Sequence, residues 1–345
     1  MTLLVGIDEA GYGPHLGPLV VAAAAIEFPG REPPDPNLWG SLRGHVRKRP
    51  AGTSSRVVVC DSKVAYARPQ GLGTLERSVL GFLAAGGMRP GTLAELLDAS
   101  CSGSDAAEER TEDIASVPWH RPESLTLPVA AGPDAVPTAA DHFAKALEGV
   151  GGRVGGLRIN VAPAARLNRL IDEGGRNKAA ALFALTADLL AQIWADVCRK
   201  HPSDRDDRTG SVHVTMDQHG GRRYYADLLA GVFPMGHVET IEEAPTMSRY
   251  RLQPSGPTRP PQTGRAHLHL TVHPRCERWS FPVALASMAA KYVRELHMRQ
   301  FNAYFRLLVP NLKPTAGYGR DAWRFLAEVE AARAAVPRGA MLRSR

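Results

Sequence analysis

The sequence predicts an α/β protein, a central sheet with helices packed around it. Three observations predict it. Short apolar runs of strand length stop at acidic residues, as residues 3–7 do at Asp8 and 211–216 at Asp217. Other segments carry apolar residues at helical spacing, most clearly 178–199 with Leu182, Leu185, Leu189 and Ile193. The two kinds of segment alternate along 345 residues, the order that builds a sheet with covering helices.

The elements follow in order. Residues 3–7 read as a buried strand and 18–26 as a neighbouring strand that pairs with it. A proline-rich loop covers 30–36. A third strand-like run, 56–60, ends at Asp61-Ser62-Lys63, and helix is expected over 75–83. Residues 100–130 are polar and irregular and include Pro118, Pro122 and Pro128, so they read as an elaboration on a domain. After the glycine-rich connection 149–156 and the helix 178–199 comes the strand 211–216. Gly220 and Gly221 follow, then a helix over 222–232 and a strand over 237–241.

Residues 254–264 contain four prolines and read as a loop. His267, Leu268, His269, Leu270, Thr271 and Val272 alternate as a half-exposed strand does. With His273 they bring three histidines together, but no convincing further metal ligands stand beside them. Helices over 282–308 and 321–335 complete a single domain spanning 1–335. Residues 336–345 read as a frayed basic tail.

Composition narrows the function classes. Hydrophobic content of 44% and charged content of 22% are those of a globular protein. No apolar stretch reads as a membrane span, and the N-terminal run lacks the basic start of a signal peptide, so a cytoplasmic location is expected. Cys60, Cys101, Cys198 and Cys276 are too scattered for a zinc site or a disulfide framework, and reduced thiols are expected. A net charge of +7 suits a polyanionic partner such as nucleic acid.

The segment Gly6-Ile7-Asp8-Glu9-Ala10-Gly11-Tyr12-Gly13-Pro14 carries the most chemistry. Neighbouring strand side chains point to opposite faces, so Asp8 and Glu9 converge only where the strand stops. The glycines let the backbone bend there and let a ligand approach. Two readings stand: half of a divalent-metal site, or an acidic turn. Asp217 repeats the placement at a second strand end. Three clustered carboxylates repel unless a cation joins them, and all-oxygen ligation suits Mg²⁺ or Mn²⁺. Taken alone, Asp217 also fits a strand-end cap. Ser287, Lys291 and Arg294 share one helix face, either a phosphate-contacting stripe or a solvated basic face.

Together these segments resemble the type 2 ribonucleases H. The block 6–14, continuing through Gly17-Pro18-Leu19-Val20, is similar to that family's first motif, and Asp61-Ser62-Lys63 to its second. Asp217 matches the third acidic position. Ala286-Ser287-Met288-Ala289-Ala290-Lys291 resembles the family's helix motif, and Gly317-Tyr318-Gly319 its terminal Gly-Tyr. The resemblance implies a ribonuclease H-like fold with a five-stranded mixed sheet. It also implies two Mg²⁺ or Mn²⁺ ions held by four carboxylates: Asp8, Glu9, Asp217 and, ten residues before Ser287, Glu277. Glu242 and Glu243 are rivals for the fourth place.

The implied activity is endonucleolytic hydrolysis of the RNA strand of RNA/DNA hybrids, or cleavage at ribonucleotides in duplex DNA. The implied substrate contacts are Gly11, Tyr12 and Gly13 to the ribose, Lys63, Ser287, Lys291 and Arg294 to phosphates, and Tyr318 by stacking. Alternatives are a catalytically weak or inactive nucleic-acid-binding relative and a DNA-directed nuclease on the same fold. The chain departs from the family pattern in three places. Tyr12 stands where the family commonly has arginine, an insertion is expected at about 95–160, and an extra hairpin or loop at about 248–272.

Overall fold

The computed structural model describes residues 1–30, 34–50, 55–67, 71–100, 117–200, 210–233, 236–254, 267–331 and 336–344. Its centre is a seven-stranded sheet. β1 (Thr2–Ala10) lies between β2 (Leu19–Phe28), antiparallel to it, and β6 (Ser211–Met216), parallel to it. β9 (His267–Val272) is parallel to β6 on the far side, and β5 (Arg153–Ala162) is antiparallel to β2. These five strands form the mixed, helix-flanked sheet expected of a ribonuclease H-like fold. β7 (Gly236–Ala244) and β8 (Met247–Pro254) form a hairpin that extends the sheet beyond β9. The expected run at 56–60 contributes only β4 (Val57–Val58), paired with β3 (Val46–Arg47) apart from the main sheet.

Both faces of β1 are buried, which is why its sequence reads as a continuous apolar run. Val5 and Ile7 pack with Leu182, Leu185 and Leu189 of helix Lys178–Lys200. Leu4 and Ala10 pack on the other face with Ala284, Leu285 and Met288 of helix Phe281–Leu308. That helix meets β1 at Gly6, where a Cβ would stand 2.0 Å from the Val283 nitrogen. The glycine is therefore required by close approach, and Ala284, Ala286, Ala289 and Ala290 keep the contact tight.

Helix Lys178–Lys200 corrects one expectation. Its span Lys178–Asp196 is long and apolar enough to cross a membrane by length and composition, yet 56% of that window is buried inside the protein. Its leucines serve the core.

The stretch expected to be an insertion at about 95–160 is part core. Helix Ala135–Glu148 buries Phe143 against Phe82 of helix Gly71–Ala85, with ring centroids 5.6 Å apart. β5 pairs with β2 along most of its length. Residues 101–116 lie outside the described residues. The extra hairpin falls earlier than expected, at β7–β8, because β9 belongs to the main sheet; 255–266 also lie outside the described residues.

The terminal segment is not frayed. Met341 is buried, Leu342 bridges Leu16, and Arg343 lies under the loop after β1. Helix Gly319–Val329 replaces the expected 321–335, of which 332–335 lie outside the described residues.

Candidate active site

β1, β6 and β9 run parallel, so their C-terminal ends share one edge of the sheet. Ile7 stands opposite Met216, and Met216 opposite Val272. Asp8 and Glu9 therefore lie beside Asp217, one residue past β6. Glu277 follows in the turn Cys276–Arg278 after β9. The four acids expected from the sequence come to one edge because the parallel register of β1, β6 and β9 ends at Ile7, Met216 and Val272. The strand does not stop at Asp8 as expected; β1 continues through Asp8 and Glu9 to Ala10 on its pairing with β2.

Each side chain is held differently. Asp8 Oδ1 accepts the Glu9 amide at 2.8 Å. Ser287 Oγ stands within hydrogen-bond reach of the Asp8 carboxyl and 3.0 Å from Ser62 Oγ. Asp217 Oδ1 accepts the Arg275 amide at 2.6 Å, which ties the β6 end to the left-handed turn at Arg275 (φ 59°). Glu277 lies 3.9 Å from Arg278 Nε.

Burial pushes all four carboxyls above their ordinary range. Asp8 is driven well up by burial and then by Glu9, and Glu9 is raised to about 7 by burial and then by Asp217. Asp217 is raised by burial, against the backbone N–H groups that favour its charged form. Glu277 is raised by burial, with Asp217 and Asp61 adding to it. The group is thus held toward its neutral form unless positive charge joins it in this partly dehydrated place.

Among the described residues no three His, Cys, Asp or Glu side chains converge closely enough to hold a metal ion. The donor chemistry nonetheless fits a hard divalent cation: only carboxylate oxygens, mutually repelling, at the edge of the sheet. The rival acids sit elsewhere. Glu243 accepts from the Tyr250 hydroxyl, and Glu242 pairs with Arg249 at 3.5 Å, both on the outer hairpin.

The expected phosphate stripe is corrected. The Arg294 side chain is fully buried and donates to the Ala316 carbonyl at 3.0 Å and the Leu16 carbonyl at 3.4 Å. Lys291 Nζ pairs with Glu295 at 2.6 Å and lies over the Tyr66 ring. Glu295 also accepts from Arg294 and from the Tyr66 hydroxyl, so one acid engages both cations. Ser287 is buried beside Asp8, and its hydroxyl donates to Ser62 at 3.0 Å instead of reaching for solvent. Lys63 is exposed and close enough to Glu9 to favour its charged form.

The glycine loop is built by close packing. Gly11 has φ +92°, and a Cβ there would lie 2.7 Å from Arg294 Nε. Gly13 is exposed, with the Tyr318 ring the nearest neighbour to its missing Cβ at 3.8 Å. Tyr318 is 46% exposed, with Arg294 Cζ lying over its ring 5.5 Å from the centroid. Tyr12 turns toward the Asp217 loop: Lys178 Nζ lies 5.0 Å from its ring centroid, and a Cβ on Gly220 would stand 2.8 Å from its hydroxyl.

Sequence reasoning missed Glu295, Lys178 and Arg343, and it quoted Ser62 within the Asp61-Ser62-Lys63 motif without giving it a role. The four-residue spacing from Lys291 to Glu295 was a usable signal for the ion pair. Nothing local marked Arg343.

No family model matches the chain, and no curated protein matches it. Solved structures that match include the ribonuclease HII of Archaeoglobus fulgidus in its complex with PCNA. That likeness has 14% identity and a TM-score of 0.37, covering 99% of this chain and 94% of that one. The ribonuclease H2 of Pyrococcus horikoshii OT3 matches at 12% identity and TM-score 0.38, over 99% and 92% of the two chains. A Bst ribonuclease HIII in complex with Mn²⁺ matches at 15% identity and TM-score 0.36, over 99% and 66%. These likenesses are distant. The fold stands on the strand order and register described above: a mixed, helix-flanked sheet with acidic residues along the edge where its parallel strands end their pairing.

Proposed function

We propose that the chain is a metal-dependent endonuclease that hydrolyses the RNA strand of RNA/DNA hybrids or cuts at ribonucleotides in duplex DNA. One observation carries the reading: Asp8, Glu9, Asp217 and Glu277 stand at one edge of the sheet, where the parallel register of β1, β6 and β9 ends, beside a glycine loop. Those four residues would hold Mg²⁺ or Mn²⁺. Bound divalent ions supply an activated water and offset charge on the leaving oxygen. Ser287 stands beside Asp8, and the Arg275 amide orients Asp217. Gly11 and Gly13 keep the backbone close to the ribose, whose 2′-hydroxyl distinguishes RNA from DNA. Lys63 draws the phosphate backbone, and Tyr318 stacks on a sugar or base.

The test is Asp217→Asn on duplexes with no, one or several ribonucleotides, each with Mg²⁺ and with Mn²⁺. The parent should cut only ribonucleotide-containing duplexes and the variant none. Equal cleavage by the variant would falsify the reading.

A second reading, a nucleic-acid-binding protein that does not cleave, draws on the lack of three converging ligands among the described residues. Calorimetry separates the two: a dead site shows no Mn²⁺ binding that depends on Asp8.

A further inference from the structure

Loop 11–17 joins β1 to β2 without regular secondary structure along most of its length, so its carbonyls need partners from elsewhere. The C-terminal segment supplies them. Arg343 Nε donates to the Gly17 carbonyl at 2.6 Å, and Nη1 donates to the carbonyls of Gly11 and, at 3.5 Å, Pro14. The Arg343 amide donates to the His15 carbonyl at 3.0 Å. Four loop carbonyls thus converge on one residue near the other end of the chain.

The segment is itself anchored. Asn168 accepts the Ser344 amide at 2.6 Å and donates to the Leu342 carbonyl at 2.9 Å. Arg294 takes the Leu16 carbonyl, and the His15 amide donates to the Gly317 carbonyl at 2.7 Å. The loop is therefore clamped between two buried guanidinium groups and the segment that bears Tyr318.

Arg343 is 4% exposed, and no acidic side chain pairs with it among the described residues. A buried cation without a carboxylate is costly, and the loop carbonyls supply its negative partners. Only a planar fork with five donors reaches several carbonyls at once; a lysine ammonium lacks that shape. Gly13, between the carbonyls so held, is exposed.

We propose that Arg343 is a positioning residue that sets the backbone of loop 11–17, which makes the C-terminal segment part of the substrate cleft. The reference to substrate rests on the proposed ribonuclease reading; the clamp itself does not.

The test compares the full chain with Arg343→Ala and Arg343→Lys by hydrogen exchange over peptides spanning loop 11–17, β6 and helix Phe281–Leu308. Loop exchange should rise about tenfold in Arg343→Ala while β6 and the helix stay protected, the mark of local opening. Arg343→Lys should resemble Arg343→Ala. Free guanidinium at about 20 mM should restore loop protection to the alanine variant, since it matches the missing fork.

Unchanged loop exchange, equal loosening of all three regions, or no rescue by guanidinium overturns the clamp. If Arg343→Ala does not fold, Arg343→Lys alone decides: parent-like loop protection there overturns the claim. A second measurement, the affinity ratio for a duplex with one ribonucleotide over an all-DNA duplex, should fall about fivefold in Arg343→Ala as the loop loses its set geometry. If the parent shows no such preference, the ribonuclease reading fails, while the exchange data still decide the clamp.

Discussion

Glu76 and Glu9 are both carboxylates set into the packed body of the protein, and their surroundings are opposite. Glu76 is fully buried beneath helix Phe281–Leu308. Its Oε1 accepts the Val129 amide and the Tyr292 hydroxyl, each at 2.7 Å, and its Oε2 accepts the Ala130 amide at 2.7 Å and the Ala131 amide at 2.6 Å. Four donors match one carboxylate. Glu9 stands beside Asp8 and Asp217, and burial and then Asp217 raise it to about 7. The contrast teaches how to separate a structural acid from a functional one. The fold satisfies the first by itself and leaves the second short of positive charge, so that a ligand can complete it.

The sharpest break of this comparison is Asp8→Asn. Cleavage of a ribonucleotide-containing duplex should fall at least about a thousandfold, roughly 4 kcal/mol of lost transition-state stabilisation. The metal-free variant should melt no lower than the parent, because a repelling charge has gone. A clear fall in melting temperature would place Asp8 with Glu76 as a structural acid.

Glu76→Ala should do the reverse. It strands three amides and a hydroxyl in the interior, and a loss of about 3–5 kcal/mol is expected from chemical denaturation. Activity per folded molecule should survive at low temperature. A loss under about 1 kcal/mol would mean that water replaces the carboxylate there.

Acidity tests the same contrast more gently. The folded Glu9 holds its proton up to about 7, whereas the unfolded chain releases it near the ordinary carboxylate value. Between those values the folded state binds more protons, so its contribution makes metal-free stability fall as pH rises through the window. Melting at pH 5 and 7.5 should show this slope in the parent and a smaller one in Glu9→Gln. Identical slopes would remove Glu9 from the acidic cluster.

The smallest effect concerns two lysines. Lys291 is already paired with Glu295, so Lys291→Ala should change duplex affinity by less than about threefold. Lys63 is exposed and lies near Glu9, and Lys63→Ala should weaken binding further and reduce its salt dependence. Fluorescence anisotropy across a salt series measures both. Equal losses would show that Lys291 leaves Glu295 when nucleic acid binds.

Much of this was legible in the sequence. Burial alternates with a short period in strands and helices, so β1, β2, β6, β9 and the two long helices can be read locally. Asp8, Glu9 and Asp217 were legible because each ends an apolar run, and Glu277 through a fixed distance from Ser287. The phosphate stripe misled because Lys291 and Arg294 share a helix face with Ser287, and spacing alone does not tell which of them packs inward. Arg294 is buried because loop 11–17 and the Ala316 carbonyl close over it. The basic tail misled for the same reason, since charge near a chain end ordinarily means solvent.

The sequence by itself determined the strand ends, the helices between them and the acids those ends carry. Apolar periodicity and a carboxylate at a strand terminus are local properties that survive in any arrangement of the sheet. Only the tertiary structure decided which charges remain free. Glu295 engages two cations, Ser287 donates to Ser62 beside Asp8, and Arg343 crosses from the end of the chain to hold loop 11–17. Buried polar groups must find partners wherever packing brings them, and for this chain those partners lie hundreds of residues apart.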